Sequence, residues 1–295
     1  MASYQSTKPR TKTYRLLISS RQRRIIGNII AFSFLAIGAI TQLAPLAWMV
    51  STSLKAQRDI FVLPLQWIPD PVVWQNYVQV WARIHLWRGF LNSLFIAVTT
   101  TVVEVLVSAA AGYAFARMRF YGRNTLFVVL LITMMNPGVV TMIPAFVLFR
   151  FLGWINTYYP LIIPLFFGSA FATFLARQFF LSLPKELEDA AKVDGANPFQ
   201  TFRHIFFPLA GPVLATLGGL GFIARWNDYL GPLIYISDMK MYTIPLMLAQ
   251  LNSLYERRWD LLMAGSVIAI LPIVIILLVM QKYFVESVAT TGLKG

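Results

Sequence analysis

Few side chains in this 295-residue sequence could do chemistry. His85 and His204 are the only histidines and there is no cysteine, so disulfides, thiolate nucleophiles and cysteine-based metal sites are excluded. No phosphate-cradling loop of the form G-x4-G-K-[S/T] occurs, which argues against nucleotide hydrolysis by this chain. The charged groups that stand out are Glu104, Arg225 and Asp228, each set in a long apolar run. A charge near the centre of a membrane helix costs about 2.5–3.5 kcal/mol on insertion scales, so each needs a partner or a polar path. Arg225 and Asp228, three residues apart on one helix face, are placed to pair with each other, whereas Glu104 has no partner that the sequence assigns. A structural ion pair and a role lining a solute path both stay open for them. Trp226, Asn227, Asp228 and Tyr229 add an aromatic face beside hydrogen-bonding groups, which suits a polyhydroxylated solute and equally an interfacial aromatic belt. No nucleophile and base fall at a spacing that would make an intramembrane enzyme.

The elements that must position these groups follow from composition. With 58% hydrophobic and 13% charged residues, 23 Phe and a mean hydropathy of +0.65, the chain is neither disordered nor an ordinary soluble domain. Six apolar runs, 25–50, 90–116, 125–149, 158–181, 208–236 and 261–283, are each long enough to cross a hydrocarbon layer about 30 Å thick. The expected fold class is an all-α integral membrane protein with six transmembrane helices. The first run is too long for a signal-peptide core of about 7 to 15 residues and is expected to remain as a helix.

Charge distribution gives the orientation. The net charge of +13 invites a nucleic-acid reading, but seven of the 25 bases (Lys8, Arg10, Lys12, Arg15, Arg21, Arg23, Arg24) crowd the first 24 residues without an acid. A cytoplasmic anchor beside anionic lipid is the better fit, and no nucleic-acid partner is expected. The short loop with Arg117, Arg119 and Arg123 also lacks acids, while 51–88 mixes four bases with Asp59 and Asp70. Both termini are therefore expected in the cytoplasm, as a basic tail (1–24) and a C-terminal tail (284–295) flanking a membrane domain (25–283). That puts loop 182–207 in the cytoplasm and the two histidines on opposite sides. Nine of the 16 prolines fall in or at the ends of the runs, among them Pro45, Pro137, Pro144, Pro164, Pro212, Pro232 and Pro272. Packing kinks are expected for most of them, and a cavity-lining break at Gly231-Pro232.

Loop 182–207 carries the sharpest local signal. Pro184 followed by Glu186, Glu188 and Asp189 starts a helix whose dipole favours acids there. Leu187, Ala190, Ala191 and Asp194 share one face, and Glu188 and Lys192 are spaced to pair. Gly195 offers a left-handed C-terminal position, and Asn197-Pro198 caps and opens a second helix that aligns Phe199, Phe202 and Phe206. Helix, sharp turn, helix results. Taken alone, this is either an interfacial helix pair or a docking surface for another protein.

The spacing Asp189-Ala190-Ala191, three residues, Gly195, nine residues, Ile205, one residue, Phe207-Pro208 resembles the EAA motif of the membrane subunits of ATP-binding-cassette importers, with Asp189 in place of Glu and Phe207 in place of Leu. The likeness extends toward the carbohydrate, maltose-permease branch through Trp67-Ile68-Pro69, Asn76-Tyr77, Tyr113-Ala114-Phe115-Ala116-Arg117, Phe120, Gly122-Arg123, Trp226-Asn227-Asp228 and the Gly292-Leu293-Lys294-Gly295 terminus.

The resemblance implies a type I importer transmembrane domain in a bacterial cell (inner) membrane, forming half of a carbohydrate pathway. It implies that Asp189, Ala190, Ala191, Gly195, Ile205 and Pro208 couple the membrane helices to a separate ATPase. The implied partners are a homologous second permease subunit in a heterodimer, two cytoplasmic ATPase subunits that carry ATP and Mg, and an extracytoplasmic solute-binding protein. No cofactor is expected on this chain itself. The competing reading is an ion-coupled secondary transporter using Glu104, Arg225 and Asp228 as a relay.

Overall fold

The computed structural model describes residues 20–252 and 257–292, with side chains over 24–252 and 257–282. The side chains of the basic tail up to Arg23, and Leu293-Lys294-Gly295 of the terminus, lie outside them. The chain divides into two compact units, Met1–Trp48 and Met49–Gly295. In the first, helix α1 (Ser20–Ser53) begins; its Phe32 and Phe34 side chains are exposed, as suits a helix whose solvent is hydrocarbon.

The second unit is built on α3 (Leu86–Arg117), preceded by the short α2 (Gln75–Arg83). At 32 residues α3 is about 48 Å long, enough to cross a bilayer and project from it. Next come α4 (Arg123–Met134) and α5 (Gly138–Phe151), then α6 (Tyr159–Ile162), a 3-10 turn (Ile163–Phe167) and α7 (Ala170–Ser182). The cytoplasmic-loop candidate forms α8 (Glu186–Val193), α9 (Pro198–Thr201) and α10 (Phe207–Leu209). The chain finishes with α11 (Gly211–Trp226), α12 (Leu230–Tyr235), α13 (Ile244–Gln250) and α14 (Trp259–Gly292).

Among the described residues four stretches are long and apolar enough to cross a membrane: Arg24–Ser53, Leu86–Arg117, Tyr159–Ser182 and Trp259–Lys282. The expected third span is a bent pair, with 100° between Arg123–Met134 and Gly138–Phe151, and the fifth is entered through a 76° bend between Pro198–Leu209 and Gly211–Trp226; with each bent pair taken as one span, the described residues hold the six expected. Proline accounts for both bends. Pro137 is the extended residue that caps α5, and Pro212 stands in the first turn of α11, each where its missing donor costs nothing. Pro45, Pro144 and Pro272 lie inside helices. Pro232 is buried within α12, and the break falls before it, at residues 227–229.

Two apolar clusters mark the two ends of α3. Leu86 and Ala97 join Val80, Trp226, Ile244 and Leu261 at one end, while Tyr113 and Ala116 join Ala176, Phe180, Phe206 and Val213 at the other. Near the first cluster, buried polar groups close the end of α1. Asn76 Nδ2 donates to the Ser53 and Lys55 carbonyls at 2.9 and 2.8 Å, and Ser53 Oγ lies 2.8 Å from the Tyr77 hydroxyl. The Asn76-Tyr77 pair thus fastens a helix end, and buried Lys55, which donates to the Gln66 carbonyl, is held below the usual lysine pKa by desolvation.

Between the clusters α3 crosses α7 on small residues, Ala109, Gly112 and Ala116 against Ala172 and Ala176. A Cβ at Gly112 would lie 2.7 Å from Ala176 Cβ and 2.9 Å from the Arg177 backbone nitrogen. Backbone cannot yield as a side chain can, so close approach requires glycine here. Gly112→Val is expected to cost about 1–3 kcal/mol by overpacking, read as a lower thermal midpoint of the detergent-solubilised protein. In the same scan Gly218→Ala, which meets nothing within 4 Å, is expected to leave the midpoint unchanged or raised.

Candidate functional site: the helical elbow and the charged centre of the bundle

The elbow begins where α7 ends. Glu186, Glu188 and Asp189 occupy the first turn of α8, and Lys192 reaches back to Glu188 at 2.7 Å. The helix closes in a full Schellman motif: Gly195 N–H donates to Lys192 O at 3.1 Å and Ala196 N–H to Ala191 O at 2.9 Å. Gly195 has φ +76° and open space around it, so its requirement is conformational and not steric. Asn197 then caps α9 with a reciprocal box, its side chain accepting the Gln200 N–H at 2.9 Å while Gln200 Oε1 accepts the Asn197 N–H at 2.8 Å. Every turn of the corner is therefore closed by hydrogen bonds.

Beyond α9 the backbone widens into a π turn over Phe202–Phe206, with Phe207 N–H donating five residues back to Phe202 O. Pro208 follows at once; it has no N–H for the His204 carbonyl four residues back, and a widened ladder accommodates that gap. Phe202 and Phe206 are carried by this turn onto Tyr113 of α3, at ring-centre distances of 5.1 and 5.2 Å, and Phe206 also meets Phe180 of α7 at 6.0 Å. Ile205 packs partly buried at the edge of the same cluster. Phe199, expected on the same face, is instead exposed, because the π turn shifts the register between it and the later phenylalanines.

Arg117 locks the assembly. Its guanidinium donates to the Phe180 carbonyl at 2.6 and 3.1 Å and to the Leu183 carbonyl at 2.5 Å, and it stands 5.1 Å from the Phe206 ring centre. One side chain on α3 thus caps the C-terminus of α7 and holds the π turn. Counting charges assigns Arg117 only to the orientation argument, and Tyr113 only to a string of resemblances; their contacts mark both as parts of the elbow.

The α8 face expected from Leu187, Ala190, Ala191 and Asp194 divides. Ala191 is buried and Leu187 partly so, while Ala190 and Asp194 are exposed. Exposed Glu186, Ala190 and Val193 form a separate outward face by i, i+4, i+7 spacing.

In the centre of the bundle the expected Arg225–Asp228 pair does not form. Helix α11 ends at Trp226, so Asp228 lies beyond it in the turn, where Oδ1 accepts the Gly231 N–H at 3.1 Å and starts α12. Arg225 pairs with Glu104 instead, 3.4 Å away across the α3–α11 interface. Arg225 Nε and the neighbouring Thr101 Oγ1 are buried without a protein partner, and Gly221 keeps the space open beside Glu104. Trp226 is buried, stacked on Phe222 at 5.4 Å with its indole N–H donating to Ala269 O at 2.9 Å. Asn227 and Tyr229 are exposed. The four consecutive residues 226–229 thus serve different surfaces: Trp226 the core, Asp228 a helix start, Asn227 and Tyr229 the exterior.

A helical bundle with bent crossings, carrying a hydrogen-bonded extension that ends in exposed helix faces, has the build of a multi-pass membrane protein. Residues 104–290 match the family described as the binding-protein-dependent transport system inner membrane component. The probable ABC transporter permease protein YurM of Bacillus subtilis (strain 168) is 36% identical over 280 residues, covering 93% of this chain and 91% of that protein. The arabinooligosaccharides transport system permease protein AraQ of Halalkalibacterium halodurans is 36% identical over 269 residues, 90% of this chain and 95% of its own length. Among solved structures, a bacterial ABC transporter involved in the import of the acidic polysaccharide alginate has a chain that superposes with a TM-score of 0.78 at 28% identity, over 90% of this chain and 99% of that one. The chain belongs to the binding-protein-dependent transport family, as a permease subunit of an ATP-binding-cassette importer. Membership leaves the ion-coupled alternative without support.

Removing one member of the Glu104–Arg225 pair strands the other in a poorly hydrated site. Glu104→Gln is expected to lower stability by roughly 1–3 kcal/mol, and the double variant Glu104→Gln/Arg225→Gln to recover part of it. Thermal unfolding of the four members of the cycle measures both.

Proposed function

We propose that this chain forms half of the membrane pathway for a carbohydrate and takes its working stroke from a separate ATPase through the 182–207 elbow. The observation that carries the reading is the elbow's stiffness: Schellman corner, reciprocal cap, π turn and Arg117 clamp leave no slack between α8 and helices α3 and α7. A lever transmits displacement only if it does not absorb it. In this reading Asp189, Ala190, Ala191 and Gly195 form the coupling helix and its corner, Ile205 helps root it in the bundle, and exposed Pro208 ends the π turn. The basic tail and the Arg117–Arg123 connector orient both termini and the elbow toward the cytoplasm.

A homologous second permease subunit completes the pathway, two cytoplasmic ATPase subunits bind ATP and Mg, and an extracytoplasmic binding protein delivers solute; this chain carries no cofactor and no catalytic residue. The printed names of AraQ and of the alginate importer support a carbohydrate as the solute. Of residues 226–229, exposed Asn227 and Tyr229 are the side chains free to meet sugar hydroxyls, while Trp226 and Asp228 are engaged within the protein.

Gly195→Val puts a β-branched residue at φ +76°, a conformation costing about 1–2 kcal/mol for an L side chain. The variant is expected to insert normally yet lose solute uptake while ATP hydrolysis by the assembled importer continues, with Gly195→Asn closer to wild type; uptake at wild-type rate in Gly195→Val would remove the coupling role. Arg117→Gln, which loses the carbonyl clamp, is expected to retain the ATPase subunits and reduce transport per ATP hydrolysed, measured in proteoliposomes.

A further inference from the structure

Between the end of α3 and the inner side of the elbow lies a cleft of about 640 Å³. Five bases line it, Arg117, Arg119, Arg123, Lys185 and Lys192, against two acids, Glu188 and Asp189. Three of the bases are spent: Arg117 on the carbonyls of α7, Arg123 on Met118 O and Asn124, and Lys192 on Glu188 and, at 3.9 Å, Asp189. Both acids are thereby engaged from the α8 side. Arg119 on the connector and Lys185 at the start of α8 remain, exposed on the two walls, with no bond or ion pair to protein.

We propose that this cleft binds a phosphate-bearing anion, the phosphodiester headgroup of an anionic membrane lipid, between Arg119 and Lys185. Guanidinium and ammonium donors on facing walls suit a phosphate, the first as a fork and the second as a point charge. The cleft is bracketed by Arg117 at the end of α3 and Arg123 at the start of α4, in the acid-free basic connector whose charge pattern suits an anionic headgroup layer. Beside it Tyr121 is fully exposed and Phe120 is 40% exposed, aromatic side chains of the kind that settle at a bilayer interface. Glu188 and Lys192 on the cleft side of α8 are turned by helical spacing from the outward face of Glu186, Ala190 and Val193, with Asp189 at the border, so a headgroup held by Arg119 and Lys185 leaves that outward face free for a docked protein. A bound headgroup ties the connector to the coupling helix, which makes transport sensitive to anionic lipid; this consequence, and the choice of leaflet, rest on the function proposed above, whereas the binding itself does not.

The test uses the assembled importer in nanodiscs of phosphatidylcholine with or without phosphatidylglycerol, and retention of phosphatidylglycerol after partial delipidation is read by native mass spectrometry. Wild type is expected to retain it preferentially, and Arg119→Gln/Lys185→Gln to hold it at least about tenfold more weakly, the loss of two basic residues near the surface. Gly195→Val is expected to keep the lipid while losing uptake, which separates failure of the lipid site from failure of the coupling role. Equal retention by wild type and the double variant overturns the proposal. Displacement by inorganic phosphate with no preference between the two lipids also overturns the lipid assignment and leaves a free-phosphate site. Loss of ATPase-subunit capture by the double variant in both lipids alike overturns it as well, assigning the cleft to a protein contact.

Discussion

A backbone N–H or C=O has no partner in hydrocarbon, and that single constraint shapes this molecule. A chain that crosses a bilayer must be helical or must satisfy each interruption from within the protein. Here two of the interruptions are closed by nearby side chains. Ser108 Oγ accepts the Ser169 N–H at the break before α7, and Asp228 accepts the Gly231 N–H at the break before α12. Pro137 and Pro212 stand where the following helix has no use for a donor. The bends that result turn the apolar runs of the second unit into a bundle with an interior, instead of independent rods.

Against that constraint, the charged centre and the elbow solve opposite problems. Glu104 and Arg225 neutralise one another across α3 and α11 with part of the guanidinium left unsatisfied, so the interior keeps polar character at its middle. The elbow leaves little unsatisfied: its corner, caps and π turn are all hydrogen-bonded, and its aromatic root at Tyr113, Phe180, Phe202 and Phe206 is packed from three sides. Stiffness is concentrated in the extension and adaptability in the core.

What the sequence made legible divides by range. The elbow obeys local rules, so Gly195, Asn197-Pro198 and the Glu188–Lys192 pair could be read from neighbours within four residues and were found in place. The number and limits of the apolar runs were legible for the same reason. Bends were not, since a proline in an apolar run gives one signal for both a kink and a break. Nor was the partner of Arg225, 121 residues away on another helix, for which Asp228 was the nearest local candidate. Arg117 was visible as a charge but not as a clamp, because its acceptors are carbonyls on α7, which any residue supplies.

The crossing at Gly112 sets how this machine can be geared. With α3 and α7 in backbone contact, neither can slide past the other, and Arg117 pins their ends together besides. In the proposed coupling role, torque applied at α8 would therefore turn the two as one block. The change of direction left open by packing is the corner at 209–211, where a 76° bend meets open space around Gly211.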